Sequence, residues 1–223
     1  MTQTDQPTGP VLDIDIVSDV MCPWCIIGYK QLEQALATTG MGARIRWHPF
    51  ELNPTMPLTG QNTSEHIQGK YGSTPEQSAQ SRVQMQTLGQ ELGFTFNFGP
   101  DSRMWNTFIT HQLLDFALSQ GKQHPLKMAL LSAHFTDQRD LSQKDVLVDV
   151  ATSVGLSATD AARVIDSGEL ATTVREKQQF WTSRGVSGVP SMVFAGKYLV
   201  TGAQGADNYV EILRRTAAET EAA

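Results

Sequence analysis

V-L-D-I-D-I-V-S-D-V-M-C-P-W-C-I-I-G-Y, residues Val11 to Tyr29, changes its hydrophobic period once, and that change decides the fold. Val11 to Ser18 alternates apolar and acidic residues and then turns apolar, which predicts a partly covered strand. Cys22-Pro23-Trp24-Cys25 follows at once. Beyond it Ile26, Ile27, Tyr29, Leu32, Ala35 and Leu36 recur at helical spacing until Gly40, so a helix begins at the cysteines. Ala43 to Phe50 alternates again and reads as a second strand, ending before Asn53-Pro54. Strand, helix and strand make one βαβ unit.

Working outward, residues 55 to about 185 have a different character. Apart from Phe94 to Phe98, strand patterns are absent. Helical periods run over Gln77–Leu92, Thr107–Ser119, His124–Thr136, Lys144–Ser153 and Ala158–Ile165, punctuated by Gly and Pro. Helix follows helix through short connections, as in a small bundle. The chain then returns to β structure: Ser191–Ala195, a tight turn at Gly196-Lys197, and Tyr198–Thr201 form a hairpin. Ala206 to Ala217 presents Tyr209, Val210, Ile212 and Leu213 as the apolar face of a closing helix. The expected fold class is α/β: a thioredoxin fold with a helical bundle inserted between its βαβ and ββα halves. Residues 11–54 and 186–218 form the discontinuous thioredoxin domain and 55–185 the insertion.

The totals narrow the function. The chain has 223 residues, 40% hydrophobic and 18% charged, which suits a folded globular protein. A net charge of -6 and the absence of Lys/Arg runs argue against nucleic acid or an anionic membrane as partner. No apolar run is long enough to span a bilayer, and Met1 to Pro10 lacks the basic and apolar regions of a secretory signal. The expected location is therefore cytoplasmic. In a reducing compartment the only two cysteines, Cys22 and Cys25, are better suited to catalysis than to a static disulfide.

A C-x-x-C at the mouth of a helix has a mechanical meaning. The attacking species in disulfide exchange is the thiolate. Free N–H groups and the macrodipole at a helix N-terminus favour that charge, each unit of pKa depression being worth about 1.4 kcal/mol. Cys22 at the mouth is the expected nucleophile, and Cys25, one turn in, the resolving thiol. Pro23 suits the first turn because its missing donor would have no partner there. Trp24 is expected to shape the substrate surface. Val189-Pro190 precedes the strand from Ser191 in a glycine-flanked setting, and a cis bond there would aim the Val189 backbone at the cysteines.

Several other residues have candidate roles set against plainer ones. Asp13, Asp15 and Asp19 include a candidate proton acceptor for Cys25, although Asp13 and Asp15 share a face suited to solvent. Glu51 has a weaker claim of the same kind. His48 sits on an alternating strand and reads as structural. Asn106 is an expected N-cap, Tyr29 a core residue, and Met85, Met104 and Met128 fillers of helical core gaps. A zinc site needs four ligands; there is no second Cys pair, and the five histidines lack metal-site spacing.

The sequence resembles the DsbA-related proteins of the thioredoxin superfamily, and among them the FrnE-like cytoplasmic group. The residues that carry the resemblance are D-V-M-C-P-W-C-I-I-G (Asp19–Gly28), W-H-P-F-E-L-N-P (Trp47–Pro54) and Asn106-Thr107 with His111. A-H-F-T (Ala133–Thr136), G-V-S-G-V-P (Gly185–Pro190) and G-A-Q (Gly202–Gln204) complete it. The resemblance implies dithiol–disulfide exchange, with the active cysteines at Cys22 and Cys25 and a cis-proline at Pro190 facing them. Pro23, Trp24 and Val189 would support them. DsbA itself carries His at the position of Trp24. No metal or organic cofactor is implied; the partners would be protein or small-molecule thiols and disulfides, with glutathione a candidate redox partner. Two competing readings remain. Kappa-type glutathione transferases and 2-hydroxychromene-2-carboxylate isomerases look similar in architecture, but there a Ser typically replaces Cys22. A non-catalytic thioredoxin-like chaperone would not need the cysteine pair.

Overall fold

The computed structural model describes residues 9–221. The N-terminal stretch read above for a leader thus lies, as far as Thr8, outside the described residues. β1 (Val11–Ser18), α1 (Pro23–Thr39) and β2 (Gly42–Pro49) form the first βαβ unit. β5 (Ser191–Phe194), β6 (Tyr198–Thr201) and α9 (Ala206–Glu221) form the second half. The four strands make one sheet in the order β2-β1-β5-β6. β1 runs parallel to β2 and antiparallel to β5, with Val17 opposite Ser191. This is the thioredoxin fold that the periods predict.

Period-2 burial builds the sheet. Leu12, Ile14 and Ile16 are buried on one face of β1 and join Ile26, Leu32, Met192, Phe194, Tyr209 and Leu213 in a core between sheet and helices. The alternate residues Asp13 and Asp15 stand opposite Arg44 and Arg46 and pair with them. Opposite charges across neighbouring strands help hold this register. β2 is a sheet edge, and Gln123 closes part of it: its side chain accepts from Trp47 N–H at 3.0 Å and donates to Trp47 C=O at 2.8 Å. A side-chain amide thereby replaces a strand and leaves fewer unpaired edge groups.

Between β2 and β5 lie two two-residue strands, β3 (Gln61–Asn62) and β4 (Arg103–Met104), and seven helices: α2 (Thr63–Tyr71), α3 (Pro75–Glu91), α4 (Phe108–Ser119), α5 (Gln123–Phe135), α6 (Lys144–Ser153), α7 (Ala158–Ser167) and α8 (Ala171–Thr182). Five of these fall where the period placed them. α2 and α8 escape it: α2 buries no residue and α8 buries only Val174 and Trp181, so neither shows an apolar stripe. Phe94–Phe98 is not a strand. Phe94 and Phe96 are buried and Thr95 and Asn97 exposed, but no strand pairs with the segment; it lies against Gly89 and Phe135. Alternation here reflects packing on a helix.

A second core joins α4 to α7, and Val20 and Met21, the two residues before Cys22, belong to it. The loop carrying the cysteines is therefore anchored in both cores.

Candidate active site

Cys22 is the N-cap of α1, in an extended conformation, with Pro23 in the first turn. The Cys25 N–H donates to the Cys22 carbonyl at 3.0 Å, which closes that turn. Cys22 is 4% exposed and Cys25 is fully enclosed. Both are free thiols. The Val189–Pro190 bond is cis, and the Cys22 thiol donates to the Val189 carbonyl at 3.6 Å, within the longer reach of sulfur. Strand pairing of β1 with β5 sets the loops at the ends of these strands together. Gly28 permits close approach by α1, since a Cβ there would lie 3.2 Å from Pro190 Cγ and 3.4 Å from Met192 Cε.

The two buried sulfurs interact, so one ionises readily and the other does not. Cys25 lies below the ordinary thiol range: burial pushes it up, but its interaction with Cys22 and the charge of Lys127 outweigh burial. The Cys22 thiol is held well above that range, by its interaction with Cys25, by burial, and by the charges of Cys25 and Asp19. The helix-mouth argument alone puts the first charge on Cys22. The interaction between the two sulfurs and the burial of Cys22 reverse that order in the resting pair, and the charges of Lys127 and Asp19 add to it.

Lys127, on α5, is 1% exposed, with its ammonium 5.3 Å from the centre of the Trp47 ring. Burial lowers its pKa, while the charges of Cys25, Asp19 and Cys22 oppose the fall. Asp19 is also 1% exposed; its carboxylate accepts from Leu52 N–H at 2.6 Å and Met21 N–H at 3.3 Å and lies 3.6 Å from His111 Nε2. Burial would raise it, but His111, the Leu52 N–H and Lys127 hold it below the usual carboxylate range. Of the three candidate acids, Asp19 is the buried one. Asp15 accepts from or pairs with His48 at 2.7 Å, and Asp13 binds Arg44 with both oxygens. His48 thus has the structural role expected of it. Glu51 is buried against Arg175, with Gln178 donating to the same oxygen at 3.1 Å.

Cys22, Pro23, Trp24 and Val189 line a cavity of about 310 Å³. Met21, Leu52, Met85, Met104 and Phe135 make much of its wall apolar. Trp24 stands at it 45% exposed. Cys25 and Pro190 lie behind this lining. Of the methionines read as core fillers, Met85 belongs to the core and also lines the cavity, Met104 faces the cavity, and Met128 packs on the core.

Residues 13–214 match the model of the DSBA-like thioredoxin domain. The chain belongs to the DSBA-like thioredoxin family. Its members are thiol–disulfide oxidoreductases, and this chain is an enzyme of that class. The crystal structure of a probable DsbA oxidoreductase from Streptomyces coelicolor superposes with a TM-score of 0.85 at 28% identity, over 92% of this chain and 89% of that one. The Bacillus subtilis (strain 168) protein YwbO, described as uncharacterized, is 24% identical over 195 residues, 87% of this chain and 92% of its own. The cytosolic disulfide reductase DsbM of Pseudomonas aeruginosa, solved with GSH, shares the fold: TM-score 0.60, 16% identity, 92% of this chain and 98% of that one.

Within this DSBA-like site, Lys127 is the residue that the sequence reading passed over. The signal was present: Lys127 interrupts an α5 stripe that contains Leu126, Leu130, Leu131 and His134, all buried. A lysine on an apolar helix face has either a partner or a function. Asn106 caps as expected but one residue early; its side chain accepts from Phe108 N–H at 3.0 Å while Thr107 holds the N-cap position.

Proposed function

We propose that Cys22-Pro23-Trp24-Cys25 is the active site of a dithiol–disulfide oxidoreductase in which Cys22 attacks and Cys25 resolves. One observation carries this reading: Cys22 faces the cavity and the Val189 carbonyl, while Cys25 sits fully enclosed behind it. The proton on Cys22 passes to Cys25, which delivers the thiolate to the accessible position. Cys22 then attacks a substrate disulfide and expels one thiolate. Cys25 attacks the mixed disulfide, expels the second, and the pair is left as a disulfide. Two electrons pass from the protein to the substrate, and the reverse sequence oxidises a substrate dithiol. Val189 presents its backbone where an extended substrate would pair. The motif from Asp19 to Gly28 supports placement in the FrnE-like group, and the shared fold of a cytosolic reductase supports a cytoplasmic setting.

The test is trapping. Reduced protein is mixed with a disulfide substrate, quenched in acid, and its mass read intact. Cys25→Ser should accumulate a mixed disulfide on Cys22, and Cys22→Ser should form none. Turnover that persists in Cys25→Ala would overturn the two-cysteine cycle and favour a single-nucleophile enzyme.

A further inference from the structure

The cavity over Cys22 carries two arginines for which the disulfide chemistry has no need. Arg82, on α3, is partly buried and donates to Ser64 Oγ at 2.8 Å. Arg103, on β4, donates to the Thr59 carbonyl at 2.9 Å, and its guanidinium lies 5.3 Å from the centre of the Trp105 ring. Among the described residues neither arginine is in a salt bridge. The cavity lining contains no Asp or Glu, and Ser78, Ser81 and Ser102 add hydroxyls. A guanidinium carries five donors in a rigid fork that matches a carboxylate, and most of these donors are unused here. Much of the remaining wall is apolar, with Thr63, Ser73, His134 and Gln138 as its other polar residues. The molecule as a whole carries -6, so this positive lining is a local feature that runs against the overall charge.

Size argues in the same direction. About 310 Å³ lies at the small end of ligand pockets, and Cys22 is 4% exposed beneath it. A disulfide on a folded protein surface cannot bring its sulfur to so enclosed a thiol without a long flexible loop, whereas a small molecule enters whole.

Resting on the dithiol reading above, we infer that Arg82 and Arg103 form an anion-recognition subsite that selects low-molecular-weight disulfides bearing carboxylates. Such a substrate, R–S–S–R, places its carboxylate on the guanidinium pair and one sulfur over Cys22. Cys22 displaces the first R–S⁻, Cys25 the second; both leave as thiols carrying the two protons of the dithiol.

The subsite is tested with three small disulfides that differ mainly in charge: 3,3′-dithiodipropionate (anionic), bis(2-hydroxyethyl) disulfide (neutral) and cystamine (cationic). Second-order rate constants for oxidation of the reduced protein are measured by stopped-flow tryptophan fluorescence and intact mass. The comparison is wild type against Arg82→Gln/Arg103→Gln, with Cys22→Ser as control. Taking the ratio of variant to wild type cancels the intrinsic reactivity of each disulfide. The expected result is at least a tenfold loss for dithiodipropionate, a change within twofold for the neutral disulfide, and an increase for cystamine. Added salt should reduce the wild-type preference and leave the variant unchanged. An equal change for all three, or none for any, overturns the subsite while leaving the dithiol chemistry standing. Failure of wild type to be oxidised by any of the three overturns the dithiol reading itself. Circular dichroism of the variant separates lost recognition from lost folding, and the single variants repeat the test if the double variant unfolds.

Discussion

The Lys127 ammonium is one of the charges that favour a thiolate on Cys25. It is buried with Asp19 and Cys25, and an enclosed ion interacts far more strongly than an exposed one. Lys127→Met keeps the stem and removes the charge, so thiolate formation in the reduced protein should move to higher pH. Absorbance at 240 nm against pH reads this directly, and an unmoved midpoint would remove Lys127 from the account. His134 provides a second test. It is 8% exposed, and burial lowers its pKa to about 4, so it is neutral near pH 7. Its unfolded value is near 6.5, so between these pH values the unfolded chain binds the extra proton. Stability should therefore fall as the pH drops from 6.5 to 4, by up to about 3 kcal/mol from this group. His134→Gln should flatten that slope in urea titrations across the range; an unchanged slope would assign the acid sensitivity to other groups.

At the scale of elements, α3 shows how one small residue positions a loop. A Cβ on Gly89 would lie 2.5 Å from the Phe96 ring and 2.6 Å from the Phe94 carbonyl. On an exposed helix Gly→Ala gains about 1 kcal/mol. Here overpacking outweighs that gain, and Gly89→Ala should lower stability by roughly 1–3 kcal/mol. Urea denaturation monitored by circular dichroism gives the sign. The shift would spread beyond α3, because Phe94 and Phe96 pack with Phe135 and Met85 under the Cys22 cavity. The same contacts explain why Phe94–Phe98 imitates a strand: a helix surface accepts every second side chain of an extended segment, and only hydrogen-bonded partners make a strand. α2 was illegible for the opposite reason. It buries no residue and is held by its N-cap Asn62, which accepts from Ser64 and Glu65 N–H groups, and by packing near α3. Yet Thr63, Ile67 and Tyr71 from α2 line the cavity.

At the scale of the whole molecule, the redox state and the fold are coupled. Oxidation removes the charge on Cys25 and leaves Lys127 without that partner. This loss favours the reduced form. The cysteines close a very short loop, for which the chain-entropy gain of the disulfide is only about 2 kcal/mol. Lys127→Met should therefore make the Cys22/Cys25 potential more negative, by about 30 mV for each 1.4 kcal/mol of lost reduced-state stabilisation. The urea stability of reduced relative to oxidised protein should fall by the same free energy. A potential that stays fixed while the thiolate midpoint moves would break this coupling.

Val11 to Phe50 by itself determined a βαβ unit with a C-x-x-C at its helix mouth, because period and helix signals are local and survive without a partner. The hairpin, the closing helix and five of the seven intervening helices were legible for the same reason. Only the tertiary structure decided what surrounds the sulfurs. Val189 and Cys22 stand 167 positions apart, and meet because β5 pairs with β1. Lys127, Asp19 and Ser18 come together behind the cysteines from α5 and the end of β1, and their effect depends on exclusion of water, which no local pattern encodes. Electrostatic energy depends on burial and distance. Those are properties of the packed chain, and no local pattern carries them.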